Sequence, residues 1–322
     1  MIFSEVLDLL TGAENIAIYS HINTDCDAMG SSLALKEALV SLGKKVDIFT
    51  HSEFPATFEF YGDLSFVNKK TCEKYDLVVC LDVANESRLG KYKYTYRKGV
   101  KNTLAIDHHH LSNENFCKVN YVKEASSTSE ILFEIINKLK IRFNKYMCKC
   151  LLSGILTDTG KLSHSVSEKT FTIVGRLLRY GKISMEDVIV PLFNSMSKNI
   201  FALMQKAYNI VEFYAKEKFA IIMLSKEDFA ETNTTLNDTD AFPDIPLQLK
   251  SVQFCILASE DDQGYFRVSF RSKGNISARD VAQSFGGGGH LNASGCKIFG
   301  TYAEVKEQLI ENSMQVLGWK RW

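Results

Sequence analysis

The sequence predicts an α/β protein of two domains. A mainly parallel sheet flanked by helices is expected over residues 1–192, and a smaller α/β domain over residues 193–322, with a connecting helix at about 199–214 and an active site in the cleft between the domains. Three observations lead there. The chain has 322 residues, enough for two ordinary domains with a sizeable core. Through its first half, short apolar runs alternate with helical patterns, as in a parallel sheet with crossover helices. Near residues 190–200 the texture changes, and a hairpin-like pair of strands appears instead.

The strand candidates of the first half are Asn15–Ser20, Lys45–Thr50, Tyr75–Leu81 and Asn102–Ile106. Ser31–Leu42 sets Leu33, Leu35, Leu39 and Leu42 roughly on one helical face, and Gly43 ends it as a C′ residue does. Ser126–Lys140 reads as a capped helix burying Ile131, Ile135 and Leu139, and helical patterns continue over Lys145–Leu156 and Ser167–Tyr180. In the second half, a helical segment over Asn199–Tyr214 leads to the apolar run Lys218–Leu224. A polar stretch, Glu231–Asp240, precedes the pair Val252–Ala258 and Tyr265–Arg271. A short capped helix over Ser277–Phe285, a strand at Cys296–Phe299 and an amphipathic helix from Thr301 complete it.

Composition removes several classes. Lys plus Arg and Asp plus Glu both number 38, so the net charge is zero; a protein that coats long nucleic acid by counterion release needs a basic surface. A small anionic substrate held by a few local groups remains compatible. The eight cysteines include no CxxC, which excludes a zinc ribbon and a thioredoxin-like site and predicts reduced thiols in a cytosol. The start, MIFSEVLDLL, lacks a basic n-region and a cleavage site, and no apolar stretch approaches the ~20 residues of a membrane helix. A cytoplasmic protein without membrane contact is expected.

The placement of the acids carries more than their number. His21, Asp25 and Asp27 crowd together after the run Ile16–Tyr19, Asp82 closes Leu77–Leu81, and Asp107-His108-His109-His110 closes Leu104–Ile106. Three predicted parallel strands thus each end in a metal-competent residue, and in open α/β sheets the ligand site lies beyond the carboxyl ends of the strands. A fourth group, Thr157-Asp158-Thr159-Gly160, ends a helical segment. Singly, each has a plainer use, such as a turn former or a helix cap. Together, on strand ends of one sheet, they predict a metal site. Mostly aspartate with one or two imidazoles suits Mn²⁺ or Mg²⁺. There are enough carboxylates for two ions ~3.5–4 Å apart with one shared bridge, the arrangement used for hydrolysis at phosphorus. In the second half, Phe285-Gly286-Gly287-Gly288-Gly289-His290 beside the arginine strand Arg267–Ser272 predicts an anion pocket built from backbone N–H groups.

These motifs resemble the DHH-family phosphoesterases: His21-Ile22-Asn23-Thr24-Asp25-Cys26-Asp27 with Gly30-Ser31, then Leu81-Asp82, Asp107-His108-His109 and Thr157-Asp158-Thr159-Gly160. GGGGH with Asn292-Ala293-Ser294-Gly295 is similar to the associated C-terminal domain of the subfamily of nanoRNA oligoribonucleases and 3′-phosphoadenosine 5′-phosphate (pAp) phosphatases. The resemblance implies the DHH phosphoesterase fold. It implies that His21, Asp25 and Asp82 hold one Mn²⁺, and that Asp27, Asp82, His108 and Asp158 hold the other, Asp82 bridging; Mg²⁺ or Co²⁺ are the alternative ions. Asp107 orients its neighbours, and His109 faces the scissile phosphate as oxyanion stabiliser or proton donor. Arg271 and His290 grip the far end of the substrate, with Gly287, Gly288 and Gly289 leaving it backbone room. Thr24 and Cys26 stand where proline and glycine are frequent in the family, Lys161-Leu162 where an aromatic is usual, and Ser294 where alanine is common. None of these removes an implied ligand.

The expected activity is Mn²⁺-dependent hydrolysis of short oligoribonucleotides to nucleoside 5′-monophosphates, exonuclease-like, and dephosphorylation of pAp to AMP, with linear or cyclic dinucleotides as variant substrates. A homodimer is an allowed assembly. The alternatives are a manganese inorganic pyrophosphatase of the same superfamily, a RecJ-type DNA exonuclease and a non-catalytic nucleotide-binding regulator. Against the first stands GGGGH; against the second, the chain length; against the third, the full ligand set.

Overall fold

The computed structural model describes residues 2–51, 54–109 and 115–320, so His110 lies outside the described residues. The chain divides into two compact units, Met1–Ser195 and Met196–Trp322.

In the first unit, α1 (Ile2–Gly12), β1 (Asn15–Ser20), α2 (Cys26–Ser41), β2 (Lys45–Phe49), β3 (Leu77–Leu81), β4 (Asn102–Asp107) and β5 (Val119–Val122) are followed by four helices, α3 (Thr128–Lys138), α4 (Lys145–Asp158), α5 (Glu168–Gly181) and α6 (Glu186–Phe193). The described strands form one five-stranded sheet in the order β2-β1-β3-β4-β5, every pairing parallel. Its strands read as near-continuous apolar runs because both faces are covered. Ile16, Ile18, Val79, Leu81 and Ile106 pack against Met29, Leu33, Ile131, Leu152 and Ile155 of the helices. The alternate residues Ala17, Tyr19, Val78, Cys80 and Ala105 meet Leu89, Tyr96 and Phe116 from loops and a 3-10 turn. Helices therefore cover one face, and a stack of aromatic loop residues covers the other.

The second unit carries α7 (Lys198–Asn209), β6 (Glu212–Tyr214), β7 (Phe219–Leu224), α8 (Lys226–Thr232), β8 (Phe254–Glu260), β9 (Tyr265–Ser272), α9 (Ala278–Ser284), β10 (Gly288–Gly289), β11 (Ala293–Phe299) and α10 (Tyr302–Leu317). Its described sheet runs β10-β11-β9-β8-β7-β6, with β7 and β8 parallel and the other neighbours antiparallel. Phe254, Ile256, Val268 and Phe270 bury against Val281, Leu309 and Ile310 of α9 and α10.

Three expectations are corrected. The helix expected from Ser31 begins at Cys26, because Asp25 caps it by accepting from the N–H groups of Asp27 and Ala28 at 3.0 Å each. The helix expected through Tyr214 stops at Asn209; Glu212–Tyr214 instead pairs with β7, a tertiary pairing that overrides local helical periodicity. The glycine run is in part a strand. Gly288 and Gly289 pair with Gly295 and Ser294 of β11, and the N–H groups of Gly286, Gly287 and His290 donate to Gln283, Ala282 and Ala293 carbonyls. All eight cysteines are unpaired, and no described helix is long and apolar enough to cross a membrane.

Candidate metal centre

Strands β1, β3 and β4 are neighbours in the sheet, so the residues that follow or end them converge: His21, Asp82 and Asp107. Asp25 arrives as the cap of α2, Asp27 on its first turn, and Asp158 on the last turn of α4.

Asp82 sits at φ 59°, a left-handed conformation costing a non-glycine residue about 1–2 kcal/mol. Its N–H donates to Ile106 O at 3.0 Å, extending the β3–β4 ladder one step past the strand end while the backbone turns. The carboxylate is buried at the centre of the cluster. Its Oδ2 lies 3.4 Å from His21 Nε2; its Oδ1 lies 3.5 Å from His108 Nε2 and accepts from Thr128 Oγ1 at 3.0 Å. His21 Nε2 is also 3.4 Å from Asp25 Oδ2, and His108 Nε2 is 3.2 Å from Asp158 Oδ2. Asp107 Oδ1 accepts from the backbone of His108 and His109 and, at 2.7 Å, from His109 Nδ1, which fixes that imidazole's tautomer with its proton on Nδ1.

Asp27 is fully buried at the N-terminus of α3, accepting from Thr128 N at 2.7 Å and Ser129 N at 2.9 Å. The helix dipole and two otherwise unpaired N–H groups stabilise that charge. This part of the site was not anticipated from sequence beyond a Ser/Thr cap. Its signal is the run Ser126-Ser127-Thr128-Ser129 ahead of an apolar helix, with Thr128 and Ser129 holding the cluster rather than merely opening α3. Gly154 on α4 completes the fit: a Cβ there would lie 2.4 Å from Asp27 Oδ1 and 2.2 Å from Ser129 Oγ.

Crowded acids and imidazoles shift one another. Burial and the charge of Asp82 push Asp27 up to about 7. Burial and Asp27 raise Asp158 well above the usual carboxylate range. Burial works to lower His108, but Asp158, Asp27 and Asp82 outweigh it and hold it at about 10; His21 is raised in the same way by Asp25 and Asp82. Burial opposes ionisation of Asp82, yet His21, His108 and His109 keep it well below the usual range. The cluster on its own collects protons, as a set of ligands without its counter-cation does.

The donors fit a metal. His21, Asp25 and Asp82 each offer a ligand atom within 4.8 Å of the others; so do Asp27, His108 and Asp158, and so do Asp82, Asp107, His108 and His109. His108 Nε2 is buried with no hydrogen-bond partner although two carboxylate oxygens lie 3.2 and 3.5 Å away, as expected of atoms that share a cation. Nitrogen and oxygen donors without thiolate suit a hard divalent ion.

In the second unit, Arg271 on β9 stands in register with Ala293 of β11, and His290 N donates to Ala293 O at 2.8 Å, so the two backbones meet at Ala293. Arg271 Nη1 donates to Phe270 O, and Nε is 3.8 Å from Asp244. Gly287 is glycine for packing, since a Cβ there would lie 2.2 Å from Gly295 O; Gly289 is tight against Ala293 O at 2.6 Å, and only Gly288 of the three opens to free space.

The sheet and the cluster at its strand ends define a class. The family model for the DHH family, N-terminal domain, matches residues 15–155, and the model for the DHHA1 domain matches residues 217–317. The chain belongs to the DHH family and is a metal-dependent phosphoesterase. It is similar, at 28% identity over 317 residues, to the probable bifunctional oligoribonuclease and PAP phosphatase NrnA of Streptococcus mutans, covering 95% of this chain and 99% of that protein. It is also 28% identical to the bifunctional oligoribonuclease and PAP phosphatase NrnA of Bacillus subtilis, covering 92% of this chain and 93% of that protein. Among solved structures, an exopolyphosphatase-related protein from Bacteroides fragilis superposes with a TM-score of 0.90 at 28% identity, covering 98% of this chain and 97% of that one.

Proposed function

We propose that the protein hydrolyses short oligoribonucleotides to nucleoside 5′-monophosphates and pAp to AMP, using two Mn²⁺ ions. The observation that carries this reading is the meeting of His21, Asp25, Asp27, Asp82, His108 and Asp158 around Asp82. His21, Asp25 and Asp82 form one ligand group; Asp27, Asp82, His108 and Asp158 form the other. When bound, the ions supply positive charge that acidifies water and neutralises a phosphoryl group. The relatives named as oligoribonuclease and PAP phosphatase support the choice of substrate.

The chain's own residues do the rest. The Thr128 hydroxyl and the N-terminus of α3 hold Asp82 and Asp27 in place. Asp107 orients His109, leaving Nε2 as the ring nitrogen that meets the reacting phosphate. Water oxygen bonds to phosphorus as a water proton passes to His109 Nε2, the bond from phosphorus to the ester oxygen breaks, and the leaving oxygen takes that proton from Nε2. Arg271 and His290 take the far end of the substrate.

The test offers purified protein with Mn²⁺ five compounds: pAp, pyrophosphate, a dinucleotide, a five-nucleotide RNA and a long RNA. AMP released from pAp, and monophosphates from the dinucleotide, with pyrophosphate intact, support the reading. Hydrolysis of pyrophosphate alone refutes it.

A further inference from the structure

The four acidic residues assigned as ligands carry four negative charges, which two divalent ions balance without surplus. A substrate phosphate adds its own negative charge to that balanced set and shares the ions with the ligands, and hydrolysis concentrates charge on the non-bridging oxygens. A cation at the rim of the cluster would meet that charge. Arg88 stands there.

Arg88 lies on the 3-10 turn Glu86–Tyr92 that follows β3 and Asp82. Its position is held three ways. Ile22 N, next to His21, donates to Arg88 O at 2.7 Å, and Leu89 is fully buried in the aromatic face of the sheet. Gly90 turns the chain at φ 56°, where a Cβ would collide with the His51 and Ile22 side chains. The guanidinium reaches His21, with Nη2 3.3 Å from Nδ1.

That contact does not satisfy the arginine. His21 Nε2 faces Asp25 and Asp82, so its proton sits on Nδ1, which lies 2.6 Å from Ile22 O and donates there. A guanidinium has donors only and gains no acceptor from an Nδ1–H. The nearest alternative acid on its own turn, Glu86, is engaged by Arg97 Nη2 and Tyr96 Oη at 3.0 Å each. Among the described residues no carboxylate comes within 4 Å of Arg88, although it borders a cluster of aspartates. It is half-buried, it contacts the ligand candidate His21, and among the described residues its donor fork has no acidic partner.

We propose that Arg88 is a substrate-binding residue of the metal centre, whose guanidinium takes the non-bridging oxygens of the phosphate undergoing hydrolysis. This rests on the phosphoesterase reading above and adds to it the group that matches the incoming charge. Arginine suits the task because its planar fork meets two phosphate oxygens at once, which a lysine ammonium does not.

The test compares wild type, Arg88→Ala and Arg88→Lys in three measurements: equilibrium binding of AMP to Mn²⁺-saturated protein, kcat and KM on pAp, and Mn²⁺ binding by calorimetry. In Arg88→Ala, AMP affinity falls and KM rises by about ten- to a hundredfold, the scale of one lost charge-assisted contact. Mn²⁺ stoichiometry and affinity stay as in wild type, and Arg88→Lys recovers part of the loss. Unchanged AMP affinity and KM in Arg88→Ala overturn the proposal. So does a loss of Mn²⁺ with normal AMP binding once the ion is saturating, because Arg88 would then only prop His21. If wild type hydrolyses none of the phosphoesters yet binds AMP through Arg88, the function falls and the residue assignment stands.

Discussion

Gly154→Ala is the sharpest test of how the helices hold the centre. In an exposed helix this change is favourable, because alanine is the better helix former by about 1 kcal/mol. Here the new Cβ would stand 2.4 Å from Asp27 Oδ1, 2.2 Å from Ser129 Oγ and 2.9 Å from Asp27 Cα, whereas ordinary contact begins at 3.4 Å. The serine hydroxyl can rotate away. Asp27 has little freedom, since Thr128 N and Ser129 N hold both its oxygens and its own backbone lies in α2. Relief therefore requires α4 or Asp27 to shift by about 1 Å, and overpacking of this kind costs about 1–3 kcal/mol. A 1 Å displacement of a ligand costs about a hundredfold in turnover. Urea denaturation should show net destabilisation of up to about 2 kcal/mol after the propensity gain. Calorimetry should show weakened Mn²⁺ binding, and kcat on pAp should fall by about two orders of magnitude. A variant that gains stability, binds Mn²⁺ normally and turns over at the wild-type rate would refute the reasoning, since Asp27 would then not be confined between α3 and α4.

Other outcomes follow from the same geometry. Asp82→Asn keeps the side-chain shape and the Thr128 contact but halves the oxygen donors at the residue proposed to serve both ions; Mn²⁺ stoichiometry should drop below two, and kcat by more than about a hundredfold. Arg271→Ala should raise KM for pAp while Mn²⁺ titrations remain those of wild type; loss of manganese would mean that its role is wrongly drawn. Asp47, 3% exposed and far in sequence from the ligands, accepts from Tyr75 Oη at 2.6 Å and from Thr71 N and Oγ1 at 2.7 Å each. Burial works to raise it, but these donors outweigh burial and hold its pKa below the ordinary 3.8. The unfolded chain thus binds that proton more readily. The contribution of Asp47 is present at neutral pH and fades as pH falls below about 4. Asp47→Asn should cost about 2 kcal/mol at pH 7, with the gap to wild type narrowing in acid when both are followed by chemical denaturation.

The sequence by itself determined the parallel sheet and the identity of the acids at its strand ends. Both are written locally: continuous apolar runs such as Leu77–Leu81 bury on two faces, and a polar residue can appear only where the run stops. It also marked the family, since the motifs follow one another in order along the chain. Local pattern fell short wherever a distant partner decided the outcome. Glu212–Tyr214 left its helix to pair with β7, and the glycine run became a strand because β11 accepts it; no nearest-neighbour signal encodes either pairing. The tertiary structure alone decided that Asp82 turns through a left-handed conformation, that α3 aims its N-terminus at Asp27 over a hundred residues away in sequence, and that Arg88 meets His21 with no carboxylate of the described residues within 4 Å. The reason is one of range: side-chain periodicity reports which face of an element is buried, whereas charges and close approaches act between elements that only the folded chain brings within a few ångströms.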